Sequence, residues 1–204
     1  MKTIKSMVLS IAVLGTILVA SAYSYQKTEC SKNKITKPNQ MVNMFVTHGH
    51  CSTPFAGSVY NLKVEVSDAI ESGNALENMA ISFEIDPNTF NVCRAEELTK
   101  SVRTPGLFVS ETNENIRFKS TNVYVMGLDW YQINGVLSIK GITHNVKMFA
   151  SGIRKPNESK TSSLVLNAQF NLFDWGIDYD KIVSGKSQEV KTKWLYLDMK
   201  VDMC

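Results

Sequence analysis

Two histidines and a cysteine occur together in His48-Gly49-His50-Cys51, the segment with the most obvious capacity for chemistry. Imidazole nitrogens and thiolate sulfurs are common ligands of zinc and copper. In a strand that enters a turn, however, residues 48 and 50 share a face while residue 51 points away. We therefore interpret the segment as a turn with ordinary histidines and keep a metal site there as an alternative.

Asp174, Asp178 and Asp180 form a second cluster of possible ligands. Calcium loops use a denser array of oxygen ligands with a bidentate glutamate, which is not evident here. The cluster therefore predicts a solvated loop. The sequence also contains no G-x-S-x-G, P-loop or H-E-x-x-H motif. We predict no catalytic residue, no metal site and no cofactor.

The N-terminal 22 residues have the pattern of a secretory signal peptide. Lys2 and Lys5 precede an uncharged run, 7–20, that is too short to cross a bilayer core of about 30 Å as a helix. Ala20-Ser21-Ala22 then supplies the small residues of a cleavage site. We expect an exported chain, periplasmic or secreted, whose mature part has no transmembrane segment.

The charge balance of the expected mature chain excludes one class of partner. Without Lys2 and Lys5, the 22 basic residues become 20, against 19 acidic ones, so the net charge is about +1. A nucleic-acid-binding domain normally shows a clustered basic excess, which is absent. We expect no nucleic-acid partner, and a homodimer is compatible with the sequence.

All four cysteines, Cys30, Cys51, Cys93 and Cys204, follow the predicted signal peptide. An even number of cysteines in an exported chain favours two disulfides over free thiols. Their spacing matches no C-x-x-C pattern of zinc or redox sites. Composition and spacing alone allow three pairings.

Period-two alternation of apolar and polar side chains dominates the chain after an irregular lead-in, 23–40, and predicts β-strands. These strands must position the residues described above. The alternation is regular in six segments and weaker in two, 41–48 and 145–153. This predicts about eight strands in one domain, 41–204, forming an antiparallel barrel or sandwich. The regular segments are 60–66, 79–85, 116–119, 131–140, 164–172 and 195–202.

The connection between the third and fourth predicted strands is about thirty residues long and contains a short helix at 95–102. Leu98 and Val102 share one helix face, and Glu96 and Lys100 form a favourable i, i+4 pair. A long connection that carries its own helix often covers an opening.

Five segments, in order, resemble motifs of the YceI-like family of exported, lipocalin-like barrels. The clearest is 135–146 (GVLSIKGITHNV), similar to the family's G-x-L-T-I-x-G-V-T-x-P-V hairpin with Asn145 at the proline position. Residues 116–121 (IRFKST) are similar to I-x-F-K-S-T. The helix and turn at 97–108, the opening hairpin with His48, Gly49 and Gly57, and the FNLFDWGI run at 170–177 resemble the remaining motifs less closely.

This resemblance implies an all-β fold: an eight-stranded antiparallel lipocalin-like barrel with one short helix in the connection between strands 3 and 4. Because family members include polyisoprenoid-binding proteins, it also implies that the barrel holds a long apolar lipid, a polyisoprenoid or an isoprenoid quinone. The apolar parity of the strands gives the expected lining: Tyr60, Leu62, Phe83, Ile116, Phe118, Tyr131, Ile133, Leu137, Phe170, Leu195 and Leu197.

A head group would need polar partners at the mouth, for which Ser120, Asn134 and Asn167 are candidates. Three alternatives stay open. The inward side chains could fill the interior themselves; the chain could be a metal-binding or structural envelope module that uses His48 and His50; or it could be an enzyme acting on an apolar substrate.

Strand direction selects one disulfide pairing. In an up-and-down meander, Cys51 follows the first strand and Cys93 the third, so both lie at one end of the barrel. Cys30 precedes the first strand and Cys204 ends the last, which places both at the other end. We predict the bridges Cys51–Cys93 and Cys30–Cys204, each typically worth about 2–4 kcal/mol.

Overall fold

The computed structural model describes residues 34–37, 40–48, 51–66, 74, 76–158, 160–178 and 194–203. The predicted signal peptide lies outside these residues. Strands dominate this part of the chain, and no helix within it is both long and apolar enough to span a membrane.

Nine strands, one helix and one 3₁₀ turn make up the fold. The helix, α1, spans Glu96–Val102 and the 3₁₀ turn spans Leu172–Trp175. The strands are β1 Lys34–Lys37, β2 Gln40–His48, β3 Cys51–Glu65, β4 Ala80–Val92, β5 Ile116–Gly127, β6 Trp130–Ile139, β7 Ile142–Arg154, β8 Thr161–Asn171 and β9 Trp194–Asp202.

Strands β2 to β9 close into an eight-stranded antiparallel barrel. Each strand pairs with the next, β9 returns to β2, and β3 pairs with β4. Closure leaves two ends. The α1 end contains the last residues of β4 and β8, and the hairpin end contains the β5–β6 turn. The predicted barrel with one short helix after its third strand is thus confirmed.

Strand β1 corrects the prediction that residues 23–40 are irregular throughout. It pairs with β3 from Lys34↔Glu65 to Lys37↔Leu62, and β2 continues the same register from Gln40↔Val59. The polar residues and Pro38 hide this strand in the sequence, because pairing with the far half of β3 determines it. The lead-in therefore extends the first barrel strand.

A register shift between β3 and β4 explains why β4 extends beyond its predicted end at residue 85. Strand β4 continues past Pro87 to Val92, because the extra residues between Asp86 and Asn91 form a bulge opposite Gly57. The Thr89 hydroxyl accepts the Ser58 N–H at 2.8 Å within this bulge. Strand β4 thus carries Phe90 to the α1 end of the barrel.

Helix α1 forms for the reasons seen in the sequence. Lys100 Nζ lies 3.4 Å from Glu96 and 3.0 Å from Glu97, and Val102 is buried while Leu98 packs against the core. The Thr99 hydroxyl accepts the Val92 N–H at 3.0 Å, and Arg103 Nε donates to the Phe90 carbonyl at 2.6 Å. These bonds hold the helix against the end of β4.

Candidate functional site

The barrel interior is lined by apolar side chains from all eight strands. Ten of the eleven predicted lining residues point inward and have only 0–4 % of their surface exposed. Such low exposure leaves little room beside them. The ten are Leu62, Phe83, Ile116, Phe118, Tyr131, Ile133, Leu137, Phe170, Leu195 and Leu197.

Tyr60 is the exception, and its prediction as a lining residue is wrong. Asn61 adopts a left-handed conformation, with φ of 50°, at a one-residue bulge between Tyr60 and Lys63. The extra residue reverses the parity of the strand, since a slip of one residue moves every side chain to the other face. Val59 and Leu62 therefore face inward, and Tyr60 lies half-buried opposite Glu84.

The predicted head-group residues do not form a polar mouth. Asn134 accepts a hydrogen bond from Gln132 at 3.0 Å, and Asn167 donates to Asp198 at 3.1 Å, both on the outer face of the barrel. The Ser120 hydroxyl accepts the Ile81 N–H at 2.9 Å, where β4 and β5 separate. All three side chains form hydrogen bonds with groups of the barrel strands, so their placement does not support the predicted head-group role.

An aromatic cluster covers the α1 end. Phe108 follows α1 in a turn, is completely buried, and lies 5.7 Å from Phe55 and 5.4 Å from Phe90 between ring centroids. Phe55 and Phe90 are 5.1 Å apart. Gly57 allows this packing, because a Cβ there would lie 2.7 Å from the Phe90 ring. The long connection thus covers the opening with a side chain that enters the barrel.

The 3₁₀ turn also lies over this end of the barrel. Trp175 and Ile177 are buried, so the segment predicted as a solvated loop is instead partly core. The His144 ring packs edge-on against Trp175 at 5.2 Å, which supplies the partner that the sequence did not reveal. The Trp175 Nε1–H is buried and has no hydrogen-bond partner among the residues that the structure describes. A buried donor in this state costs about 1–3 kcal/mol, so it favours any acceptor that reaches it.

The hairpin end is closed by the segment before β4. Leu76 and Met79 are buried there, and the Tyr131 hydroxyl accepts the Leu76 N–H at 3.3 Å. Burial raises the pKa of the Tyr131 phenol, which therefore stays neutral and able to serve this bond. The phenol tethers a covering segment to the barrel wall.

A cleft of about 650 Å³ lies on the outside of the barrel rather than within it. Most of its lining side chains are outward-facing polar or charged groups of β3 to β7, including Lys63, Glu84, Arg117 and Lys119. Arg117 Nε and the Glu84 carboxylate are 3.8 Å apart across it. An apolar tail bound there would desolvate these charged side chains at a cost in free energy, which disfavours a lipid in this cleft.

The possible metal ligands are not brought together in the part of the chain that the structure describes, where no group of three or more His, Cys, Asp or Glu side chains is arranged to hold an ion. Asp174 accepts a hydrogen bond from Asn171 at 2.9 Å. His50, Asp180 and the side chain of His48 lie outside the described residues.

Strand directions place Cys51 and Cys93 at the same end of the barrel, as the parity argument requires. The Cys93 thiol is exposed and free in this structure. Phe55 pairs with Val92, so Cys51 stands about three residues, or roughly 10 Å, along the sheet from Cys93. A disulfide needs Cα atoms within about 7 Å, so this bridge requires the strand ends to shift. Cys30 and Cys204 lie outside the described residues, and their pairing stays a prediction.

Phe90, Phe108 and Trp175 are the site residues that sequence reasoning missed. None belongs to the alternating patterns from which the lining was predicted. The available indication was large apolar side chains in segments otherwise rich in polar residues and turn formers. Such residues in a loop favour insertion into a core.

Comparisons with known proteins agree with this architecture. The family model of the YceI-like domain matches residues 34–195. The structure is similar to BcnA of Burkholderia cenocepacia, with a TM-score of 0.59 and 14% identity over 79% of this chain and 96% of that chain. It is also similar to a YCEI protein of Campylobacter jejuni, with a TM-score of 0.50 and 12% identity over 89% and 94% of the two chains. No curated protein matches the sequence. The family match covers most of the sequence, and the chain belongs to the YceI-like domain family of lipocalin-like barrels.

Proposed function

We propose that this protein binds and carries a long apolar lipid, a polyisoprenoid or an isoprenoid quinone, in the interior of the barrel within the cell envelope. The observation that carries the proposal is the continuous apolar lining supplied by all eight strands. Burial of one CH₂ group contributes about 0.8 kcal/mol, so one isoprene unit supplies roughly 3–4 kcal/mol before costs. Association costs on the order of 4–15 kcal/mol, which favours a tail of several units over a small metabolite.

The covered interior sets a condition on this binding. Because the described lining residues are almost fully buried, a lipid enters only when the groups over one end move. The α1 end suits entry, since Phe108 there sits on a connection between strands that is held to the barrel by a few hydrogen bonds, among them Arg103 Nε to the Phe90 carbonyl at 2.6 Å and Lys140 Nζ to the Gly106 carbonyl at 2.9 Å. The structure is then the closed form, and the lipid replaces side-chain contacts at the aromatic cluster.

The Trp175 N–H, which is unpartnered within the described part of the chain, supports a position for the head group at the α1 end. A quinone carbonyl or another acceptor oxygen that enters at the α1 end satisfies this buried donor, which the hydrocarbon tail cannot do. This group replaces Ser120, Asn134 and Asn167 as the head-group partner in our proposal. Binding in this arrangement needs no catalytic residue.

The first test is a titration with polyprenols of increasing length. Binding is monitored by displacement of a fluorescent fatty acid or by intrinsic tryptophan emission. The dissociation constant should fall steeply with each added isoprene unit until the barrel is filled, and then level off. A linear alkane alcohol of equal carbon number is the control for non-specific hydrophobic binding. Affinity that does not depend on tail length would contradict an enclosed apolar site.

The second test removes the indole donor alone. Trp175→Phe keeps an aromatic ring against His144 and Phe170 but deletes the Nε1–H. Because one hydrogen bond is worth about 0.5–1.5 kcal/mol, quinone affinity should fall about 2- to 10-fold. The affinity of a polyisoprene hydrocarbon of the same length should stay unchanged. Equal losses for both ligands would show that Trp175 acts through packing and not through its donor.

A further inference from the structure

The β5–β6 hairpin presents apolar side chains that the rest of the described barrel does not cover. Leu128 at its turn is 74% exposed, and Trp130 and Met126 are each 49% exposed. Phe149 on β7 continues this surface, with its ring centroid 6.4 Å from that of Trp130. Isolated exposed apolar residues are normal, but a contiguous group of them marks an interaction site.

Near the turn, the β5 strand of this hairpin exposes apolar side chains on both faces, whereas Tyr131 on β6 is buried. Tyr124, Val125 and Met126 are consecutive strand residues, so they alternate between the two faces, yet all three are exposed. Strand β4 pairs with β5 only as far as Lys119, which leaves the distal part of β5 projecting beyond its neighbour. A flat protein partner covers one face of such a ribbon, whereas the lipid phase of a membrane surrounds both.

The charges at this end of the barrel fit an anionic bilayer. Asp129, the acidic residue in the turn, is neutralised by Arg154, whose Nη2 and Nε each lie 2.7 Å from a carboxylate oxygen. Their hydrogen bond raises the pKa of the Arg154 guanidinium, which therefore stays charged beside Asp129. Lys155 and Lys160 are exposed in the adjacent β7–β8 turn and outnumber its one carboxylate, the exposed Glu158. Basic side chains beside an apolar insertion are attracted to anionic lipids.

We propose that the β5–β6 hairpin, from Tyr124 to Trp130, inserts into the surface of an anionic lipid bilayer and docks the barrel on it. The ribbon from Tyr124 to its turn is about four residues long, roughly 13 Å at 3.3 Å per residue, which suffices for the interfacial depth of about 5–10 Å. Trp130 and Tyr124 are the residue types that favour the membrane–water interface. This docking follows from the hairpin alone and does not depend on what the barrel holds.

Vesicle flotation tests the proposal with protein recovered in its naturally processed form from expressing cells. Wild type should partition into phosphatidylcholine–phosphatidylglycerol vesicles more strongly than into phosphatidylcholine alone. Leu128→Asp should lower the partition coefficient at least about tenfold, because a leucine that becomes buried in the bilayer on docking is replaced by a charge. Ile142→Asp is the matched control, since Ile142 is an exposed apolar residue next to a hairpin turn at the opposite end of the barrel, and it should bind like wild type.

Tryptophan emission gives a second measurement that does not depend on how Leu128→Asp folds. The emission of wild type should shift to shorter wavelength on anionic vesicles, and this shift should be lost in Trp130→Phe. Wild type and variants share the same N-terminus, so a difference between them reports on the hairpin. The proposal would be overturned if wild type did not partition into the vesicles, or if Leu128→Asp partitioned as strongly as wild type. It would also be overturned if wild type formed a dimer that Leu128→Asp does not form, while neither protein bound vesicles, because the hairpin would then be a protein interface.

Discussion

Replacement of Phe108 with alanine is expected to lower the free energy of unfolding by about 3–5 kcal/mol, the range for a fully buried phenylalanine. The ring is 0% exposed and packs against Phe55 and Phe90, so its removal leaves a cavity bounded by aromatic rings that cannot easily close. Urea unfolding followed by far-ultraviolet circular dichroism measures the change.

Phe173→Ala is the matched control for Phe108→Ala. Phe173 lies in the 3₁₀ turn at the same end of the barrel but is 38% exposed, so its truncation should cost only a small part of that energy, about 1 kcal/mol or less. Equal destabilisation by the two variants would show that Phe108 is not the buried cover described here.

Phe108→Ala also tests the route by which the lipid enters. If Phe108 covers the entrance, Phe108→Ala should take up a polyprenol faster than wild type and should regain stability as the ligand occupies the cavity. Stopped-flow measurement of tryptophan emission gives the uptake rate. An unchanged rate in a folded variant would place the entrance elsewhere.

Replacement of Gly135 with alanine is the second change with a large expected effect. A Cβ at this position would lie 2.5 Å from the Phe118 ring and 2.6 Å from the Lys119 carbonyl oxygen. Overpacking of a core typically costs about 1–3 kcal/mol, and the upper end is expected because the carbonyl belongs to the paired β5 backbone. Thermal and urea unfolding measure the loss.

Gly127→Ala is the control, because a Cβ at Gly127 meets no atom within 4 Å and the residue does not need a positive φ. Its stability should stay within about 1 kcal/mol of wild type. In the double variant Phe118→Leu, Gly135→Ala, only the ring contact is relieved, so stability should recover in part. A Gly135→Ala protein as stable as Gly127→Ala would contradict the close approach of β5 and β6.

Regular alternation made most of the barrel predictable. Strands β6 and β9 begin and end within one residue of the predicted limits, because one face packs on the core and the other meets water along their whole length. The buried face of these two strands therefore agrees with the alternation in the sequence. Helix α1 was predicted within one residue, since its charge pair and apolar face are local features.

The errors have a common cause, which is pairing between segments distant in sequence. Alternation in β3 changes phase between Val59 and Leu62, and that change was the available indication of the bulge that turns Tyr60 outward. Strand β1 depends on the far half of β3, and β4 continues through Pro87 only because a bulge accommodates it. Phe108 and Trp175 enter the core from non-periodic segments, which strand parity does not address.

We propose that the barrel interior holds one long apolar lipid. Native mass spectrometry of freshly purified protein, paired with solvent extraction and lipid analysis of the same sample, tests it most directly. The native mass should exceed the denatured mass by one isoprenoid molecule, and that isoprenoid should be recovered in the extract. A native mass equal to that of the bare chain, together with no uptake of added polyprenol or quinone, would contradict it.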